Sequence, residues 1–432
     1  MARRLGLYSG IGLVIANMIG AGVFLSTGFM AQELRPGAIL LAWVAGAALA
    51  MAGALAYSEV ARIVPRSGGE YRYLSELLHP AFGYLAGWTS LLVGFSAPIA
   101  VSALAAGSYL AILLPWVNPL AAAVTLVLVL TAAHAGAGAL SKATQNVLVG
   151  LKAALILAFA GLGLIHSRYT WPDWQPPRPP ESVVASFMAS LFYVAFAFSG
   201  WNAAVYVAEE FERPARDVPR AMVIGCALVA ALYLAVNWVF VANLTPERAA
   251  VVFTYESRRI TLGHLIMSDL LGEAGGRAMS ALAVAAFVSS VSAMTFAGPR
   301  VYAAMAADGY LPALLARAEG RPSAAAVVLQ GALAVALLFT HTVQQVLQNV
   351  GALLTLFAAL TALSLFRVRR RGGHRPSAAA LVAAAIYGLF SAWMLYFGFR
   401  GFPRLLPWLA AIAAAATAFY AATAARQAQK KT

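Results

Sequence analysis

Apolar runs of about twenty residues recur along almost the whole chain, and roughly 20 helical residues are what it takes to cross about 30 Å of hydrocarbon. About twelve such runs stand near 7–33, 37–62, 82–112, 118–135, 143–166, 183–210, 220–243, 277–306, 323–341, 343–367, 377–399 and 403–425. Of the 432 residues, 62% are hydrophobic and only 11% charged, whereas water-soluble domains carry roughly 25% charged residues. The expectation is an all-α membrane protein, a single embedded domain over residues 1–432. Nothing between the runs is long enough to build a second core. The first run follows Arg3 and Arg4 but contains Asn17, Gly20 and Gly22, with no small-residue cleavage site after it, so it reads as a retained helix and not a signal peptide.

The formal charge of +14 does not point to nucleic acid, because the basic residues are scattered among short loops between the runs. With the N-terminus inside, 20 of the 30 lysines and arginines fall on the cytoplasmic side, 9 outside and 1 within a span. That asymmetry predicts a cell inner-membrane protein with both termini in the cytoplasm. The strongest inside markers are Arg367, Arg369, Arg370, Arg371 and Arg375, with Arg426, Lys430 and Lys431 at the tail. Outside, the Pro-rich stretch Trp171 to Pro180 reads as a connector. Residues 244–276 read as short surface helices that would lie over the outer face as a lid, and deleting 246–271 is expected to change activity more than insertion. Cys226 is the only cysteine, so no internal disulfide can form.

Two runs are interrupted where a membrane helix should be most continuous. Ala16-Asn17-Met18-Ile19-Gly20-Ala21-Gly22-Val23-Phe24 breaks the first, and Phe196-Ala197-Phe198-Ser199-Gly200-Trp201-Asn202 breaks the sixth. Either alone reads as a close-packing surface. As a pair at matching places, five spans apart, they predict a 5+5 inverted repeat (about 7–166 and 183–367) with broken helices 1 and 6, plus two extra C-terminal helices at about 377–425. A break exposes N–H groups at the start of one half-helix and C=O groups at the end of the other. The N–H groups of Gly20, Ala21 and Gly22, at a positive helix end, suit a carboxylate. The carbonyls of Met18, Phe196, Ala197 and Ser199 suit an ammonium. Together they would hold the backbone of a zwitterionic amino acid, with Ala21, Phe196, Phe198 and Ser199 forming a mostly neutral pocket. No acidic residue stands near mid-membrane, so neutral amino acids are the expected cargo.

Lys152, in Asn146-Val147-Leu148-Val149-Gly150-Leu151-Lys152-Ala153-Ala154, is a charge inside a span. Such a charge costs roughly 2.5–3.5 kcal/mol on insertion scales and by default faces the protein interior. Gly150 is expected to allow close packing beside it, Ala16 and Ile19 to supply carbonyls to its ammonium, and Ser289 and Ser292, three apart on one helix face, to add hydroxyls. Lys152 then stands where related architectures bind sodium, as a sodium-substituting or proton site. Glu59 is expected to pair with a nearby arginine, and Ser67-Gly68-Gly69-Glu70-Tyr71-Arg72-Tyr73 to start an interfacial helix.

These residues resemble the amino acid–polyamine–organocation superfamily, whose members have the leucine-transporter-like fold. The resemblance rests on Ile19-Gly20-Ala21-Gly22-Val23-Phe24, Ser67-Gly68-Gly69-Glu70-Tyr71, Lys152, Phe196 to Asn202 with Glu209-Glu210 after it, and Asp308-Gly309-Tyr310-Leu311-Pro312. The sixth-span motif is similar to the L-type amino acid transporter branch and its bacterial relatives. The resemblance implies sodium-independent transport of neutral amino acids by exchange or proton coupling. It carries carboxylate binding to Ala21 and Gly22, amine binding to Met18, Phe196, Ala197 and Ser199, and the sodium-substituting role to Lys152. Animal L-type carriers join a glycoprotein through a cysteine between spans three and four, but Leu114 to Pro119 holds none, so no disulfide-linked subunit is expected. Ala21 stands where many relatives carry serine. Neither a cofactor, a metal nor an enzymatic activity is expected, since His134 and His341 lie without metal-ligand or nucleophile neighbours. The alternative of another class is a non-transporting amino acid sensor on the same scaffold.

Overall fold

The computed structural model describes residues 5–136, 142–167, 171–177, 182–316, 322–368, 375–401, 406–407, 409–414 and 416–418. Most of the twelfth expected span lies outside these residues. So do Arg3, Arg4, Arg369, Arg370, Arg371, Arg426, Lys430 and Lys431.

A backbone in hydrocarbon must bond to itself, and the described chain does so as helix. Among the described residues, seven helical stretches are long and apolar enough to cross a membrane, and five shorter apolar ones accompany them. The first span is α1 (Leu7–Met18) and α2 (Ala21–Met30), and the second is α3 (Pro36–Ile63). After the loop helix α4 (Glu70–Leu77), the third span runs through α5 (Pro80–Thr89), a π-helical turn (Ser90–Gly94) and α6 (Ser96–Leu113). Then come α7 (Pro119–Ala135), α8 (Lys142–Ile165), α9 (Val183–Phe198), the single turn α10 (Ala203–Tyr206) and α11 (Pro214–Asn243). The short helices α12 (Pro246–Thr254) and α13 (Glu256–Ile260) lead into α14 (Leu262–Ala307), followed by α15 (Ala324–Thr340), α16 (Val343–Leu363) and α17 (Ala378–Gly401).

Local chemistry sets the starts. Proline opens α3, α5, α7, α11 and α12, where its missing N–H is one the helix could not have used. Asn118, Ser182, Thr245 and Ser323 each accept from a first-turn N–H, and Thr342 and Gln345 cap α16 reciprocally. The eighth span departs from its expected start at 277. Helix begins at Leu262 and turns at Gly272 (φ 72), a left-handed conformation that glycine adopts without steric cost, so only α12 and α13 remain as separate short helices.

Leu5 pairs with Phe211, Ser67 with Glu209 and Arg72 with Asp308, which gathers α4 and the segments after α10 and α14 at one face, hereafter the α4 face. The opposite face carries α12 and α13. Within the bundle α11 packs along α3, α14 along α6, and α16 and α17 both on α9. Phe24 fixes α2 to the scaffold, its ring edge-on to Phe159, Phe240 and Phe287 at centroid distances of 6.2, 6.4 and 5.7 Å.

Candidate substrate site at two interlocked helix breaks

The first span is broken where expected. Ile19 (φ −71, ψ 94) and Gly20 (φ −132, ψ −160) are extended between α1 and α2, and Gly20 brings no side-chain cap. The first-turn N–H groups of α2, including Ala21 and Gly22, thus stand at the positive end of a ten-residue helix. The sixth span breaks after Phe198. Ser199 is extended (φ −57, ψ 143) and Gly200 takes φ 101, a backbone that favours glycine.

The breaks interlock. A Cβ on Gly22 would lie 2.4 Å from Ala197 Cα, and one on Gly200 would lie 2.8 Å from the Asn17 carbonyl carbon. Bare backbone of α2 rests on the end of α9, and the turn after α9 rests on the end of α1. Close packing and interruption, weighed as rival readings of these glycines, are here the same feature.

Three of the four carbonyls expected to hold an ammonium, those of Met18, Phe196 and Ala197, are engaged in this conformation. The Tyr233 hydroxyl, from α11, lies 2.6 Å from Met18 O and 3.2 Å from Ala197 O, bridging both spans. Phe196 O accepts from the Ser199 N–H at 3.0 Å. Tyr233 itself packs against Phe198 and Trp43 at 5.1 and 5.8 Å. Sequence reasoning missed it. Its signal was a polar pair four apart on one face of an apolar run, Tyr233 with Asn237, and Asn237 Nδ2 does bond Tyr233 O at 2.8 Å.

Lys152 is 1% exposed and its Nζ donates to Ala16 O at 2.9 Å, a cation on the carbonyl end of α1 where the helix dipole favours it. The rest of the expected surround is different. Ile19 O accepts from Ser290 Oγ at 3.0 Å. Ser289 is buried and is not among the hydrogen-bond partners of Lys152 in the described residues, and Ser292 Oγ pairs instead with His134 Nε2 at 3.0 Å. The three-residue spacing placed Ser289 and Ser292 on one face correctly, but Ser290, about 100° round the helix, is the residue turned to the break. Gly150 is exposed with open space where its Cβ would be, so it packs against nothing beside Lys152.

A cavity opens beside the breaks toward the α4 face, with about 80 Å³ open to the centres of water molecules, several times what one water needs. Of the ten residues expected to bind substrate, Phe198, Ser199 and Gly200 line it. Met18, Ile19, Gly20, Ala21, Gly22, Phe196 and Ala197 lie outside its lining. Asn17, Phe95, Trp201, Asn202, Met294 and Leu354 complete much of the wall, Phe95 being carried there by the π-helical turn. That turn, invisible to a reading of apolar periodicity, closes with Phe95 N–H to Ser90 O at 3.2 Å.

The α4 face gathers three loop motifs that are far apart in sequence. Ser67 Oγ accepts from the Glu209 N–H at 3.0 Å. Arg72 pairs with Asp308 at 2.7 Å, to which Tyr71 OH also donates at 3.0 Å, and Arg300 pairs with Glu210 at 3.3 Å. Glu59 pairs with Arg62 at 3.3 Å and accepts from the Ser377 N–H at 3.0 Å. Glu70 points inward: Tyr57 OH donates to its carboxylate at 3.2 Å, Tyr206 OH at 3.4 Å, and Asn202 Nδ2 also donates to it. Burial pushes this carboxyl above the ordinary carboxylate range, and its hydrogen bonds oppose the shift.

A sequence profile of the amino acid permease family matches residues 5–425. The chain belongs to the amino acid permease family. Among curated proteins, the Asc-type amino acid transporter 1 of Homo sapiens is 27% identical over 94% of this chain and 79% of its own length. The large neutral amino acids transporter small subunit 2 of Rattus norvegicus is 27% identical over 92% of this chain and 76% of its own. The b(0,+)-type amino acid transporter 1 of Mus musculus is 30% identical over 60% of this permease and 56% of its own length. The family transports and does not catalyse.

Proposed function

We propose that this permease carries neutral L-amino acids across the cell inner membrane by alternating access, without sodium, with both termini in the cytoplasm. The observation that carries the reading is the interlock of the two breaks. It sets an uncapped helix N-terminus beside the carbonyl ends of two other half-helices, a receptor for both poles of a zwitterion that needs no charged side chain. The substrate carboxylate would take the N–H groups of Gly20, Ala21 and Gly22. Its ammonium would take the carbonyls of Met18, Phe196, Ala197 and Ser199, displacing the Tyr233 hydroxyl from two of them. Substrate binding thereby becomes an exchange of partners across the first and sixth spans, a differential contact of the kind that shifts a conformational equilibrium.

Sodium independence rests on Lys152, whose ammonium ties α1 through Ala16 O. The names of the Asc-type and large neutral amino acid relatives support neutral cargo. Exchange and proton coupling both fit this arrangement. The relatives' names are those of transporters, which leaves the sensor alternative without support. The test is counterflow in sodium-free proteoliposomes preloaded with a panel of unlabelled amino acids. Accumulation of labelled neutral amino acids is expected, and no accumulation of any labelled amino acid would sink the reading.

A further inference from the structure

Glu70 is the first residue of α4, 9% exposed, and the ion pairs around it pass it by. Arg72 is committed to Asp308 at 2.7 Å and Arg66 to Glu76 at 3.4 Å. Among the described residues no cationic side chain pairs with Glu70. A buried carboxylate is costly unless a cation or a proton meets it.

Its position is on a path. Glu70 lines both the main cavity beside the breaks and a second, smaller cavity that continues to Thr89, Ser90 and Phe357. The carboxyl stands where the two meet. Its surroundings are aromatic: Tyr57 stands edge-to-face with Trp201 at 4.6 Å and Phe95 with Tyr206 at 5.2 Å. A carboxylate among ring faces is the chemistry that holds an ammonium ion, by charge and by cation–π attraction.

We propose that Glu70, walled by Tyr57, Phe95, Trp201 and Tyr206, is a second station for the substrate's ammonium group, between the helix breaks and the α4 face. In this conformation the Tyr233 hydroxyl lies against the carbonyls of Met18 and Ala197 and competes with an ammonium for them with its single proton. Glu70 is the anionic acceptor the cavity offers instead. The inference rests on the permease reading above and adds a stop on the way to one face.

The experiment measures KM separately from each face in oriented proteoliposomes, for wild type and Glu70→Gln, together with inhibition by a substrate and by its 2-hydroxy acid analogue. Loss of a charge-assisted contact predicts a rise of about tenfold or more in KM at the α4 face, less than about twofold at the opposite face. At the α4 face alone, the preference for amine over hydroxyl should shrink. An unchanged KM there, or an equal rise at both faces, overturns the proposal. Should Glu70→Gln fail to insert, Phe95→Leu removes a ring without touching a hydrogen bond of the carboxyl, and a one-sided rise of about threefold or more is expected; no rise overturns it. A wild-type KM at that face that depends on potassium or sodium would assign the site to an inorganic cation and overturn it equally. Absence of all wild-type flux would instead refute the permease reading.

Discussion

Gly22→Ala puts one methyl group between the two broken helices. The added Cβ would sit 2.4 Å from Ala197 Cα, 2.8 Å from its Cβ and 3.0 Å from its N. Ordinary contact starts about 1 Å further out, and the obstacle is backbone, which cannot rotate aside. The helices must part, and forcing an extra methyl into a packed contact costs about 1–3 kcal/mol. At about 1.4 kcal/mol per tenfold, that is a loss of roughly 5- to 150-fold in any equilibrium that needs the interlock.

Two controls isolate the cause. A Cβ on Gly20 would meet nothing nearer than 3.9 Å, and one on Gly150 nothing within 4 Å. The extended backbone of Gly20 is open to alanine. Thermal unfolding of ligand-free protein in detergent should therefore fall for Gly22→Ala and stay near wild type for Gly20→Ala and Gly150→Ala. Counterflow kcat/KM of Gly22→Ala, at matched protein, should drop within the range above. Gly22→Ala at wild-type stability and rate would refute the argument, as would an equal loss of stability in Gly20→Ala.

Lys152→Ala takes the charged donor from Ala16 O, a bond of about 1.5–3 kcal/mol, and should cost more than about tenfold in transport at unchanged expression; wild-type rates would refute the structural-cation role. Ser290→Ala should raise KM about fivefold by freeing Ile19 O, against less than about twofold for Ser289→Ala, and equal effects in the same uptake assay would be the wrong result. Arg259→Gln should loosen the α12 face and raise labelling of Ser26→Cys by an impermeant thiol reagent applied there about threefold or more. Unchanged labelling would show that Arg259 seals nothing.

Spans and breaks were legible because both are written locally, in run length and in glycine placed where helix should continue. The contact of Lys152 with Ala16 was legible for a related reason: a lone charge in a span needs acceptors, and a break frees them. What failed was rotation about helix axes. Ser289 and Ser292 share a face, but which face turns inward is fixed by α14 packing on α6, a contact no local pattern records. Tyr233 and Glu70 were passed over because each looked ordinary in its own segment. Tyr233 acts at carbonyls 215 and 36 residues away, and Glu70 meets Asn202 and Tyr206 only once α4 folds against α10. The inverted relation of the two halves remains a proposal drawn from the matching breaks.

The two faces are closed by different means. At the α12 face, Gly28 packs bare backbone on α13, where a Cβ would meet Arg259 O at 2.7 Å. Arg259 is 8% exposed, lies over the Phe29 ring at 5.4 Å and donates to the carbonyls of Val252 and Phe253 at 3.2 and 3.0 Å. Trp174, buried, lies tilted against Phe253 at a centroid distance of 6.1 Å. Opening there must separate packed apolar surface and strand a guanidinium. At the α4 face, part of the closure is ionic and wet: Arg66 reaches Glu209 at 3.9 Å with both side chains about half exposed, the kind of pair whose worth is about 0–1 kcal/mol. The cavity already extends to Glu70 beneath it. The same face also carries the less exposed pairs Arg72–Asp308 and Arg300–Glu210, so closure toward α4 is largely ionic where closure toward α12 is apolar, and raised salt is expected to loosen the α4 face more than the α12 face.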